Sequence, residues 1–230
     1  MNDHIATSTV VRGQGSSTPQ IAASRNVEGL DIGTVDVSEM GTVVALIARG
    51  MRDNPLHIAA FGNDPERRRR ALQRFQGGAA AVLGWHKHML VARRADGTIV
   101  GVCGMNSPGN CLPGFGQQLR LLPTLLRNGP RATGRTMRWL GAWVQHDPEA
   151  RHWHLGPVAV DAHLQGTGIG SQLMRVFCAQ MDAAGEDAYL ETDKSINVGF
   201  YKRFGFEVIG EQEVLGVPNW LMLRRTTTYR

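Results

Sequence analysis

HWHLGPVAVDAHLQGTGIGSQ, residues 152–172, decides how the rest of the chain is read. Trp153–Val160 is an apolar run bounded by polar residues, the pattern of a buried strand. Asp161–Gln165 makes a short loop, and Gly166, Gly168 and Gly170 then alternate where an amphipathic helix begins. Glycine lets the backbone approach a ligand closely, and the first N–H groups of a helix have no intrahelical partner. The spacing predicts an anion site suited to a phosphate or pyrophosphate.

Two uses of such a loop fit less well. A P-loop needs Lys followed by Ser or Thr after its last glycine, and here Ser171-Gln172 follows Gly170 with no lysine. A dinucleotide fingerprint would place a ribose-binding carboxylate about where Glu191 stands, 21 residues after Gly170. That fingerprint's tight turn follows its strand directly, however, whereas five residues separate Val160 from Gly166. Too little chain also remains after Glu191 for the further βα units of such a sheet. A dinucleotide-binding protein stays as a remote alternative.

The third use fits the details. Gln165-Gly166-Thr167-Gly168-Ile169-Gly170 matches Q/R-x-x-G-x-G/A, with a strand before it and Asn197-Val198-Gly199-Phe200-Tyr201-Lys202-Arg203-Phe204-Gly205-Phe206 after it. In this the chain resembles the GNAT superfamily of acyl-CoA-dependent N-acyltransferases, over roughly Leu30 to Arg225 in element order and most specifically over Trp153–Phe206. WHLGPVAV, Tyr189-Leu190-Glu191-Thr192 and FYKRFGF look most like the puromycin N-acetyltransferase type. The resemblance implies an α/β (α+β) GNAT fold: a mixed, mostly antiparallel central sheet, splayed at its fourth strand and flanked by helices. It also implies acetyl-CoA as co-substrate.

Composition bounds the alternatives. The 230 residues can bury a full core, with 42% hydrophobic and 20% charged residues. A net charge of +5 favours polyanionic ligands, CoA phosphates included, but no stripe of bases interleaved with aromatics marks a nucleic-acid binder. Cys103, Cys111 and Cys178 are odd in number and form no metal-ligand spacing, so we expect no metal and a reducing, cytoplasmic setting. No apolar run reaches the ~18 residues of a membrane span, and the N-terminus has no signal-peptide pattern.

In chain order, residues 1–28 read as a disordered leader and 29–230 as one domain. LDIGTV from Leu30 alternates as a first strand, and Asp36 with Glu39 forms a capping box. The helix after it carries Val43, Val44, Leu46, Ile47 and Met51 and ends at Asn54-Pro55. The next runs from Asp64-Pro65 to Gly77-Gly78, with Arg67–Arg70 expected as a solvated surface. His88–Arg94 and Thr98–Met105 form a hairpin about Ala95-Asp96-Gly97. Residues 106–151 form an insertion with helices near Gln117–Leu126 and Arg135–Gln145, expected to wall the acceptor site. Trp139 and Trp143, four apart on one face, read as packing anchors, with Trp143 also a substrate contact. A helix from Ile169 ends near Gly185, and the strand Ala188–Thr192, the helix Lys194–Phe204 and the strands Phe206–Val214 and Asn219–Arg225 complete the domain.

The GNAT resemblance assigns chemistry to these positions. The pantetheine arm is expected along Val158, Ala159 and Val160, with the phosphates on Gln165, Gly166, Thr167, Gly168, Ile169, Gly170 and Ser171. Asn197 and Tyr201 share a helix face beside a core stripe of Ile196, Phe200 and Phe204. Asn197 is assigned to the pantetheine arm and Tyr201 to protonating the thiolate, since a phenol of pKa about 10 is protonated at neutral pH. His154, eleven residues before Gln165, is the candidate base, with His146, His152, Asp147, Glu191 and Asp193 as competitors, and the resemblance also allows a water chain with no dedicated base. Glu191 is the candidate partner of a substrate ammonium. The acceptor expected is a small-molecule amine; a protein or peptide acceptor and a non-catalytic CoA sensor are alternatives. The molecule is expected as a monomer or homodimer.

Overall fold

The apolar runs of the sequence become the strands of one sheet in the order β1-β2-β3-β4-β5-β6-β8-β7. The computed structural model describes residues 24–25, 29–111 and 115–226; residues 1–23 and 26–28, most of the expected leader, lie outside them. Within that leader, Ser24–Arg25 (β1) pairs with β2, Asp31–Thr34. Then follow β3 (Met89–Arg93), β4 (Ile99–Asn106), β5 (His152–Val160), β6 (Asp187–Thr192), β7 (Glu207–Val214) and β8 (Val217–Arg224). Every pair is antiparallel except β5 with β6.

That parallel pair opens the fold. β5 meets β6 only where His152, Trp153 and His154 face Asp187, Ala188 and Tyr189. Beyond Leu155 it pairs with β4 alone, so the rest of β5 and the end of β6 part. Pro157, which has no N–H to donate, lies in the unpaired part, as a splayed strand allows. This is the splay expected, in what is the fifth strand once the two-residue β1 is counted.

Helices cover both faces. α6 (Ile169–Ala184) buries Leu173, Met174, Phe177 and Met181 on one face with Phe206 and Met222. On the other, α1 (Met40–Gly50) and α3 (Pro65–Leu83) pack on Met89, Val91 and Val102. The capping box forms, with Asp36 N donating to Glu39 Oε2 and Ser38 N to Asp36 Oδ1, both at 2.8 Å.

Two boundaries differ from expectation. Asn54-Pro55 does not end a helix but begins one: α1 stops at Gly50, and Pro55 occupies the first turn of α2 (Pro55–Phe61), where its missing N–H costs nothing. α3 does not stop at Gly77-Gly78 but continues to Leu83 and closes on the left-handed Gly84, φ 66°. A Cβ on Gly78 would stand 2.9 Å from Thr124 Cγ2, so the glycine lets α3 and α4 (Phe115–Leu126) touch. The arginine run is not uniformly solvated either. Arg68 is 3% exposed and donates to Arg52 O, Gly62 O and Asp53, which ties α3 to the turns at both ends of α2.

α4 and α5 (Pro130–Val144) make up the insertion. Trp139 anchors it as predicted: 3% exposed, it meets Trp143 edge-on at 5.1 Å and packs on Phe75 and His57. α7 (Ser195–Lys202) corrects one expectation, since Ile196 is 79% exposed and takes no part in a core stripe.

Candidate active site

The loop after β5 is held from below. Asp161 pairs with Arg49 of α1 at 3.1 Å, and the Gln165 side-chain amide donates to Gly50 O and Val160 O, each at 3.2 Å. So tied, the loop turns through Gly166 (φ 81°) and Gly168 (φ 97°), backbone angles that a side chain would strain. The bond from Gln172 N to Gly168 O, 3.1 Å, starts the helical ladder. The amides ahead of it point out of the N-terminal end of α6.

A cavity of about 650 Å³ begins at this turn. Gln165, Gly166, Gly168, Gly170 and Ser171 line its mouth, and Val158, Ala159 and Val160 form one wall where β5 leaves β6. Two of the expected loop residues face elsewhere. Ile169 is 5% exposed in the core, and the Thr167 hydroxyl donates to Leu164 O at 2.6 Å.

Asn197, Phe200 and Tyr201 of α7 form the facing wall. Asn197 Nδ2 donates to Thr192 Oγ1 at 3.2 Å. Tyr201 is 9% exposed and rests edge-on against Phe200 and Phe206. Burial, with Cys103 and Asp193 nearby, pushes its phenol well above the usual range, so it is protonated at neutral pH.

The deep end of the cavity is lined by the insertion and α2: Leu121, Trp139, Leu140, Trp143, Leu56 and His57. Trp143 Nε1 donates to Asn219 Oδ1 at 3.3 Å, which fixes the indole plane. Asp193 Oδ2 accepts from Leu56 N at 2.7 Å and seats α2 against the end of β6.

Polar groups gather where this apolar chamber meets the splay. His154 Nε2 lies 2.9 Å from Glu191 Oε2, and its Nδ1 lies 3.3 Å from Asp147 Oδ1. The Glu191 side chain is 1% exposed, and its Oε1 has no hydrogen-bond partner among the described residues. Burial works against a charged His154, but Glu191, Asp147 and Cys111 outweigh it and raise the imidazole well above its ordinary value. Burial likewise opposes a Cys111 thiolate, yet His152 and His154 draw the thiol down to about 7. Asp147, although half buried, is held at about 2 by the same two imidazoles.

A model of the Acetyltransferase (GNAT) family matches residues 55–206. The chain belongs to that family. Similar solved structures include a histone acetyltransferase HPA2 and related acetyltransferase from Corynebacterium glutamicum, at TM-score 0.64 and 20% identity over 86% of this chain and 97% of that one. A Drosophila melanogaster polyamine N acetyltransferase follows at 0.60 and 14%, over 85% and 99%. Arylalkylamine N-acetyltransferase 2 from Aedes aegypti has 0.59 and 14%, over 86% and 99%. At these identities the likeness is one of fold. The chain is thus a GNAT acyltransferase that uses acetyl-CoA, while the finer likeness to the puromycin type finds no support in these comparisons.

The residues present fit acetyl-CoA. In this GNAT chain the left-handed glycines, the outward-facing amides of α6 and the open edge of β5 form one continuous surface along the cavity. The structure brings His154, Glu191, Trp143, Asn197 and Tyr201 to that cavity. Sequence reasoning weighed Asp147 and Asp193 only as competitors for the base, and it missed two contributors, α2 with His57 and the thiol of Cys111. A proline at the first turn of a helix signals α2; nothing in local spacing signals the thiol.

Proposed function

We propose that this GNAT enzyme moves an acetyl group from acetyl-CoA to the primary amine of a small molecule, by direct attack within a ternary complex. One observation carries this reading. The cavity runs from the Gly166–Ser171 turn past the β5 splay into a chamber walled by Leu121, Trp139 and Trp143, with the Glu191 carboxylate at the junction. Walls of this kind enclose a small acceptor, whereas a protein substrate needs an open cleft. The names of the Drosophila and Aedes structures, a polyamine and an arylalkylamine acetyltransferase, agree with such an acceptor.

Acetyl-CoA supplies a thioester whose carbonyl carbon the amine attacks, so that a C–N bond forms and the C–S bond breaks. We assign the α6 amides to the phosphates and the free backbone of β5 at Val158–Val160 to the pantetheine arm and thioester oxygen. Glu191, through its free Oε1, receives the substrate ammonium and its proton. His154, with both ring nitrogens on carboxylates, holds Glu191 in place and leaves Glu191 as the proton acceptor. Tyr201, protonated and facing the same cavity, gives the departing sulfur a proton.

Thiol release from acetyl-CoA, measured across a panel of aromatic and aliphatic amines and lysine-containing peptides, tests this reading. Amine-dependent release with inert peptides supports it. Release with peptides alone, or none while acetyl-CoA binds, contradicts it.

A further inference from the structure

We propose that Cys111, Asp147, His152 and His154 form a four-ligand site for a zinc-type divalent cation, which ties both ends of the insertion to β5. One ligand atom from each of these residues lies within 4.8 Å of all the others. Asp147 Oδ1 stands 3.3 Å from both His152 Nε2 and His154 Nδ1. Two ligands bound to zinc at about 2.0–2.1 Å and held at a tetrahedral angle stand about 3.3 Å apart, so the gap has the size of the ion.

The far side of each imidazole is already fixed. His152 Nδ1 donates to Ala150 O at 2.7 Å, and His154 Nε2 donates to Glu191 Oε2 at 2.9 Å. Metal-bound histidines are oriented in this way, by an oxygen acceptor on the ring nitrogen that does not face the metal. The inward nitrogen of His152 supplies a second, independent sign. Its side chain is 4% exposed, and Nε2 faces Asp147 Oδ1 at 3.3 Å without the geometry of a hydrogen bond to it or to any other described residue. A buried polar atom left so is costly, and an ion among the four groups would satisfy it.

Charge and connectivity agree. A thiolate, a carboxylate and two neutral imidazoles balance a dication, with the Cys111 proton released on binding. Mixed sulfur, nitrogen and oxygen ligands in a tetrahedral arrangement suit zinc, and four protein ligands leave no open position, as in a structural site. Cys111 lies where the chain leaves β4 for the insertion, Asp147 where it returns after α5, and the two histidines alternate on one face of β5. The ion therefore pins the segment that carries Trp139 and Trp143 over the chamber. Cys103 and Cys178 are buried elsewhere in the core.

The test needs no turnover, so it stands apart from the proposed acetyl transfer. The full chain is stripped with a chelator and titrated with Zn²⁺ against a chromophoric competitor, and separately with Co²⁺ followed by absorbance. We expect one equivalent bound, the strong visible bands of tetrahedral cobalt with a near-ultraviolet thiolate band, and a thermal midpoint raised by Zn²⁺. Cys111→Ser should abolish the thiolate band, and His152→Ala should weaken Zn²⁺ by more than about tenfold. The weak spectrum of octahedral cobalt in the unaltered chain, the absence of stoichiometric binding, or an affinity in both variants equal to that of the unaltered chain would overturn the proposal. So would uptake of an acetyl group by Cys111 from acetyl-CoA with no cobalt bound, which would mark the thiol as a nucleophile.

Discussion

His154 on β5 and Glu191 on β6 face each other at 2.9 Å at the point where the two strands stop pairing. The place where the sheet opens thus also holds a carboxylate, 1% exposed, on the wall of the cavity.

Glu191→Gln keeps the shape and removes the charge. Truncating one partner of a buried, hydrogen-bonded charge pair costs about 2–5 kcal/mol, so kcat/KM for the amine should fall by about 30-fold or more. The KM for acetyl-CoA should stay within about twofold, because Glu191 lies beyond the cofactor end of the cavity. Steady-state kinetics with each substrate varied separates the two.

Tyr201→Phe removes one oxygen from a ring already packed on Phe200 and Phe206. The fold should be unaffected, acetyl-CoA binding by calorimetry unchanged, and kcat lower by about 10²–10⁴-fold, the usual contribution of a positioned acid or base. Full activity in this variant would remove Tyr201 from the chemistry.

Trp139→Ala empties the joint between α2, α3 and α5, where the indole touches Phe75, His57 and Trp143. Loss of a buried aromatic of this size costs about 3–5 kcal/mol, read as a lower denaturant midpoint. Trp143→Phe leaves the buried Asn219 Oδ1 without its donor, so stability should fall by about 1–3 kcal/mol, less than for Trp139→Ala, while the altered chamber wall changes the ranking of amines.

Asp53 is held at about 2 by Arg52 and by the buried Arg68, below its unfolded value of 3.8. A carboxylate with a depressed folded pKa adds stability that is complete above the unfolded value and is lost as pH falls through about 2. Its side chain is 55% exposed, which limits the contribution to about 1 kcal/mol. Asp53→Asn should therefore be less stable than the native chain at pH 6, and the gap in chemical denaturation should narrow below about pH 4.

Much of this architecture could be read from the chain because it is written in short-range pattern. The strands alternate, α6 carries its apolar residues at helical spacing, and three glycines mark the turn ahead of it. The pairing of Asn197 with Tyr201 on one face followed from the same spacing. What escaped depended on distant partners. α3 runs through Gly77-Gly78 because Thr124 packs against the second glycine. Pro55 stops a helix and starts one equally well, and the turn at Arg52 and Asp53, held by the distant Arg68, is not written in the local spacing. Ile196 fits the stripe of Phe200 and Phe204, yet the sheet does not reach it. Cys111, Asp147 and His152 meet through the fold of a whole insertion, which no local spacing records.

Initial velocities measured at varied acetyl-CoA and varied amine test the central claim most directly. Direct transfer within a ternary complex predicts double-reciprocal lines that intersect, with no thiol released until amine is added. Parallel lines, with a stoichiometric burst of thiol in the absence of amine, would contradict it and point to an acetylated enzyme.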